Sequence, residues 1–150
     1  MRRAYSLPRL LLNALRAAAA LGIARIELRW IKPQDVLSRN RQIASRAGNM
    51  GGTPLRPAEI ARHCDDAAFF INRMSARVPW RSDCLVQALA GQRWLIGNGI
   101  ASEIEVGTAK RPDGSFESHA WLRQQDRVVL GGDVTGYWPL LTTGSGTGRS

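Results

Sequence analysis

RSDCLVQALAGQRWLIGNGIASEIEVGTA, residues 81–109, changes its hydrophobic period part-way along. Leu85, Ala88, Leu89, Gln92 and Leu95/Ile96 recur at helical spacing, with Gln92 the one residue off type. Ser82 or Asp83 supplies the N-cap, and the glycines of GNG at 97–99 supply the stop. From Ile100 to Ala109 the period falls to two, which places Ile104, Val106 and Thr108 on one face of a strand. This is the junction between a helical half and a β half, and it sets the fold class. It also puts Cys84 in the first turn of a helix.

Downstream, RPDGS at 111–115 is a turn, FESHAWLRQ a second strand, QDR a tight turn and VVLGG a third strand. TGYWPLL is a candidate to close the sheet, and TTGSGTGRS reads as a flexible tail. Upstream, residues 57–75 carry Ile60, Cys64, Ala67, Ile71 and Met74 at spacings of four, three, four and three, a helix behind Pro57. Cys64 lies on its apolar face, where a free cysteine behaves as a small hydrophobe. Residues 38–56, with GNMGGTP at 48–54, read as a linker or surface loop. Residues 7–31, LPRLLLNALRAAAALGIARIELRWI, are helix-prone, with a bend expected near Gly22.

The expected architecture is α+β: N-terminal helices, then a catalytic helix and an antiparallel β-meander. The divisions are 1–56 (N-terminal helical region and linker), 57–141 (the core) and 142–150 (the tail).

The net charge of +9 is unevenly spread. Residues 1–81 hold 15 Lys and Arg against 5 Asp and Glu, whereas residues 82–150 hold 6 against 7. Such a basic half can attract an acidic peptide, an anionic membrane surface or nucleic acid. No zinc finger, RNP-like aromatic motif or clear helix-turn-helix pattern accompanies it, so nucleic acid is the weakest of these partners. Two histidines, with His63 and Cys64 adjacent, do not make metal-ligand spacing; neither a metal nor a cofactor is expected. Arg16 and Arg25 interrupt the N-terminal apolar run, which argues against a signal peptide and for a cytoplasmic amphipathic helix. That helix either packs on the domain or offers contact to a membrane surface.

The chemistry lies in three residues. N–H groups of a first helical turn stabilise negative charge, which suits a thiolate nucleophile and the oxyanion it creates. Strand alternation puts Glu117, His119 and Trp121 on one face, making His119 a candidate base beside Trp121. An imidazole base needs an orienting partner, and Asp133, at the end of the next strand, is the first candidate, with Asp126 the runner-up. A two-residue turn at Gln125–Asp126 sets residue 132 opposite His119, so Asp133 needs a bulge, which Gly131–Gly132 can provide. Trp80, Arg81 and Trp121 are candidates for the substrate groove, with core packing an equal alternative for the two tryptophans.

PWRSDCLVQALAGQRWLIGNGI, then GTAK and DGSFESHAWL, then RVVLGGD and YWPLL resemble the lasso-peptide B-protein leader peptidases, a transglutaminase-like cysteine protease family. The likeness runs over about residues 78–141. It implies a transglutaminase-like or papain-like core, with Cys84 as nucleophile, His119 as general base and acid, and Asp133 as orienter. Family members often carry Asn-Asp about twelve residues after the histidine; this chain has Gly131 there, and Asp133 stands two residues later.

The implied activity is removal of the leader from a ribosomally made precursor peptide. The chain resembles the stand-alone protease half, which implies a separate leader-recognition protein and an ATP-dependent macrolactam cyclase as partners. The competing readings are a transglutaminase-like acyl transferase or amidase, a non-catalytic adaptor of the same fold, and a basic membrane- or nucleic-acid-binding protein.

Overall fold

The computed structural model describes residues 5–47 and 54–142. Four helices precede four strands: α1 (Leu7–Trp30), α2 (Pro33–Ala47), α3 (Pro57–Ser75), α4 (Cys84–Ile96), β1 (Glu103–Lys110), β2 (Phe116–Gln124), β3 (Arg127–Leu130) and β4 (Trp138–Thr142). The fold is α+β, as the change of period at Ile100 requires.

α1 buries Ala17, Ala20, Leu21 and Ala24 against α3 and α4. Three of those four side chains are methyl groups, so the neighbouring helices can approach closely. α3 adds Cys64, Ala67, Phe70 and Ile71 to the same core, and α4 adds Val86, Ala88, Leu89, Trp94 and Leu95. Phe70 stacks on Trp94 across the α3–α4 contact, with centroids 6.0 Å apart. Glu27 ties three helices, accepting from Arg39 of α2 (2.7 Å) and Arg93 of α4 (2.8 Å).

Residues 38–47, expected as loop, are helical and belong to α2. Pro33 opens this helix and Asp35 sits in its first turn, where the helix dipole favours an acid. Arg, Gln and Ala then outweigh Ser and Asn in propensity, and Leu37 is buried on the core. Residues 48–53 of the expected loop, and most of the expected tail, residues 143–150, lie outside the described residues. α1 runs as one element through Gly22.

The sheet order is β3-β2-β1-β4, all antiparallel neighbours. Strands β1 to β3 form the expected meander. The last strand departs from it: β4 pairs with β1 on the far edge instead of with β3. Residues 131–137 therefore cross from one edge of the sheet to the other. Ile104 and Leu122 face the helices, where Leu122 and Leu130 crowd Gly91 of α4. The register pairs Ile104 with Leu122, Glu105 with Trp121 and Gly107 with His119. Glu105, Gly107, His119 and Trp121 thus lie on the face turned away from the helical core.

Candidate active site

Cys84 is the first residue of α4 and is half-buried. Its entry is fixed by Asp83, the N-cap, whose Oδ1 accepts from the Val86 N–H at 3.2 Å. The Asp83 carbonyl accepts from the Gln87 N–H at 3.0 Å, and Gln87 Nε2 reaches back to the Ser82 carbonyl at 2.8 Å. Among the described residues this leaves the N–H groups of Cys84 and Leu85 as the free donors of the first turn. Of the two N-caps the sequence offered, Asp83 does the capping.

His119 is half-buried in β2 and forms a triangle with two aromatic rings, Trp121 and Tyr137, which lie 6.2 Å from each other. Trp121 stacks on one side, with centroids 6.1 Å apart and planes at 28°. Tyr137 tilts over the ring at 5.1 Å and 41°. His119 Nε2 lies 2.7 Å from the Gly131 carbonyl oxygen. A carbonyl only accepts, so Nε2 carries the proton and Nδ1 of the neutral ring keeps its lone pair.

The platform under His119 rests on Trp121, which is 2% exposed. Its indole N–H donates to the Glu105 carboxylate, which also accepts from Arg123 Nε at 3.2 Å. Two glycines make room for the indole. A Cβ on Gly107 would lie 2.7 Å from Trp121 Cη2 and 2.7 Å from the Trp138 carbonyl. A Cβ on Gly131 would lie 2.4 Å from Trp121 Cβ. Trp121 is therefore a packed support beneath His119. Trp80 is likewise half-buried and packs on α1 at Gly22, while Arg81 is exposed.

The two candidate carboxylates sit elsewhere. Asp133 is exposed, and its Oδ1 accepts from the Thr135 N–H at 2.9 Å. The Thr135 side chain first, and then its N–H, hold the Asp133 carboxyl below the usual range. Asp126 lies in the β2–β3 turn, where Gln125 has a φ of 50° and Gln124 pairs with Arg127. The expected two-residue turn is present, and a bulge is present but not where it was expected. The bulge comes earlier than Gly131–Gly132, between the Arg123–Val128 and Leu122–Leu130 pairs. The acceptor on His119 is thus the main chain of Gly131, two residues before Asp133.

Sequence reasoning missed Tyr137 and gave Glu117 no role. Arg111 holds Glu117 through Nε at 3.1 Å and a second nitrogen at 3.0 Å, which keeps this carboxyl below its ordinary range. Desolvation first, then the Glu117 charge, pushes the Tyr137 phenol up, and charge on Cys84 adds to the effect. Tyr137 thus tilts over His119 and responds to Cys84. No hydrogen bond joins Cys84 to His119 in this arrangement. Strand alternation carried a signal for Glu117, which shares the His119 face; Tyr137 was legible only as part of a closing strand.

The two cysteines differ in a way that alkylation can read. Cys64 is 1% exposed on α3, and burial pushes its thiol up. Cys84 is more open and stands at a helix N-terminus. Iodoacetamide at neutral pH is expected to label Cys84 alone in the folded protein and both thiols after denaturation, as peptide mapping by mass spectrometry would report. Labelling of Cys64 first would mean that the helical core opens more readily than the entry of α4.

The family model of the transglutaminase-like superfamily matches residues 10–142. No curated protein and no solved structure matches the chain. The match spans α1 almost from its start and continues through β4, so it takes in the N-terminal helices as well as the Cys84 helix and the His119 sheet. The chain belongs to the transglutaminase-like superfamily.

Proposed function

We propose that this protein is a cysteine peptidase that cuts the leader from a ribosomally made lasso-peptide precursor, acting with a separate leader-recognition protein and an ATP-dependent macrolactam cyclase. The observation that carries the chemistry is the tautomer of His119. With Nε2–H tied to Gly131, Nδ1 is the basic nitrogen, and the Cys84 thiol at the start of α4 acts on Tyr137, the ring tilted over His119. The lasso-precursor substrate and the two partners rest on the likeness of residues 78–141 to the leader peptidases.

The reaction divides into two halves. Substrate binding draws the catalytic pair together, as hydrogen bonds between catalytic groups commonly tighten in the Michaelis complex. Nδ1 of His119 takes the Cys84 proton while Sγ attacks the scissile carbonyl carbon. The oxyanion of the tetrahedral intermediate is held by the free N–H groups of Cys84 and Leu85. The imidazolium returns its proton to the leaving amine, the C–N bond breaks, and a thioester remains on Cys84. Water then gives a proton to His119 and attacks the thioester; the C–S bond breaks, the leader leaves as a carboxylate, and the thiol is restored. The Gly131 carbonyl and the faces of Trp121 and Tyr137 stabilise the transient imidazolium.

An acyl transfer would share the first half and pass the thioester to an amine. The two are separated by mass spectrometry of the precursor incubated in ¹⁸O-water with this protein, the recognition protein and the cyclase. Scission at one bond, with ¹⁸O in the new leader carboxylate, is the expected result. A leader joined to an amine would replace hydrolysis by transfer, and an intact precursor in the complete mixture would sink both.

A further inference from the structure

The outer side of α1 is a long apolar ridge, touched among the described residues by Trp80 at Gly22 and otherwise open. Leu11 is 58% exposed, Leu15 69%, Ile26 61% and Trp30 80%, and Leu7 and Leu12 are exposed with them. At 100° per residue five of these, all but Leu7, lie on the side opposite Ala17, Ala20, Leu21 and Ala24. The helix thus has two apolar faces. The small one serves the core, and the large-residue one is open.

Its surroundings are basic. Arg9, Arg25, Arg29 and Lys32 are exposed on or beside α1, and Arg41 and Arg46 are exposed on α2. The acid of α1, Glu27, is already paired with Arg39 and Arg93. We infer that the outward face of α1 docks this protein on an anionic lipid surface, lying in the interface with Leu11, Leu15, Ile26 and Trp30 among the acyl chains and Arg25 and Arg29 at the headgroups.

Three features favour lipid over a protein groove or a second copy. The ridge is convex and runs about 36 Å, the length of 24 helical residues. A deformable plane accommodates such a ridge, whereas a protein partner needs a groove to match. Trp30 and the arginines are residue types enriched at membrane interfaces. Two copies face to face would bring like-charged flanks together, which opposes self-association. α1 is also apolar and long enough to cross a bilayer. Spanning, however, would strip Ala17, Ala20, Leu21 and Ala24 from α3 and α4, so the helix lies on the surface instead.

Flotation of the full chain with vesicles tests this. Vesicles of phosphatidylcholine with one quarter phosphatidylglycerol are expected to carry the protein, more weakly as salt rises, and phosphatidylcholine alone to carry it at least about tenfold less. Leu15→Glu and Ile26→Glu, both at exposed positions, should each weaken binding about tenfold or more without altering circular dichroism. Arg25→Glu with Arg29→Glu should erase the preference for anionic vesicles. The inference is overturned by absence of binding to either composition, by equal binding to both, or by a dimer in light scattering that Leu15→Glu dissociates.

Discussion

Cys84→Ala lowers precursor cleavage by about 10⁴-fold or more, with the fold and precursor binding retained; that is the largest effect expected of any single substitution here. In the proposed mechanism Cys84 forms the thioester. The Tyr137 ring lies 5.1 Å from His119, but desolvation and the Glu117 charge push its phenol up, which makes it a poor substitute. The fold should hardly notice. Asp83 caps the helix through its own carboxylate and carbonyl, so the cap outlives the thiol. Alanine is the best helix former, and the site is half-buried, so stability should stay within about 1 kcal/mol. Single-turnover mass spectrometry gives the rate, and a thermal melt gives the fold. Cleavage within tenfold of the parent would remove Cys84 from the chemistry altogether.

Gly131→Ala is expected to cost about 3 kcal/mol or more and to silence the site. Gly131 has a φ of 115°, a conformation open to glycine and strained for any other residue. Its added Cβ would meet Trp121 at Cβ (2.4 Å) and at Cα (2.9 Å), and neither atom can swing aside. Relief requires the loop to lift, which withdraws the carbonyl from His119 Nε2. Asp133→Asn is the paired control. A carboxylate that orients a catalytic histidine costs about 10⁴-fold in rate when made an amide. Asp133 is engaged with Thr135 instead, so its replacement should change the rate by less than about tenfold. Urea melts and kcat/KM for both variants decide. A thousandfold loss in Asp133→Asn at unchanged stability would make that carboxylate the orienter and displace the Gly131 carbonyl from the role.

The helix-to-sheet order, the cap on Cys84, the hairpin turn at Gln125–Asp126 and the partners of β1 and β2 were legible because each rests on local chemistry. Period, cap and turn residues act within a few positions of one another. What escaped needed long-range placement. The ten residues at 38–47 carry too little apolar periodicity to announce a helix; Leu37 docking on the core helps to hold them. β4 was foreseen as a strand, but nothing in TGYWPLL says which edge it takes. That choice brings Tyr137 over His119. The main-chain acceptor at Gly131 was hidden for a different reason. A carbonyl is common to every residue, so the search for an orienter naturally went to the carboxylates at 126 and 133.

The crossing segment 131–137 has a consequence for when the protein can act. Both groups that hold the imidazole, the Gly131 carbonyl and the Tyr137 ring, ride on these seven residues. The outer strands stand about 14 Å apart, and seven residues stretch to about 24 Å. The strap therefore has limited slack, and it is held only while β4 is docked on β1. A nascent chain that has passed Leu130 already owns its thiol and its histidine, yet the histidine is still unaligned. On the proposed reading, cleavage waits until the last strand closes the sheet.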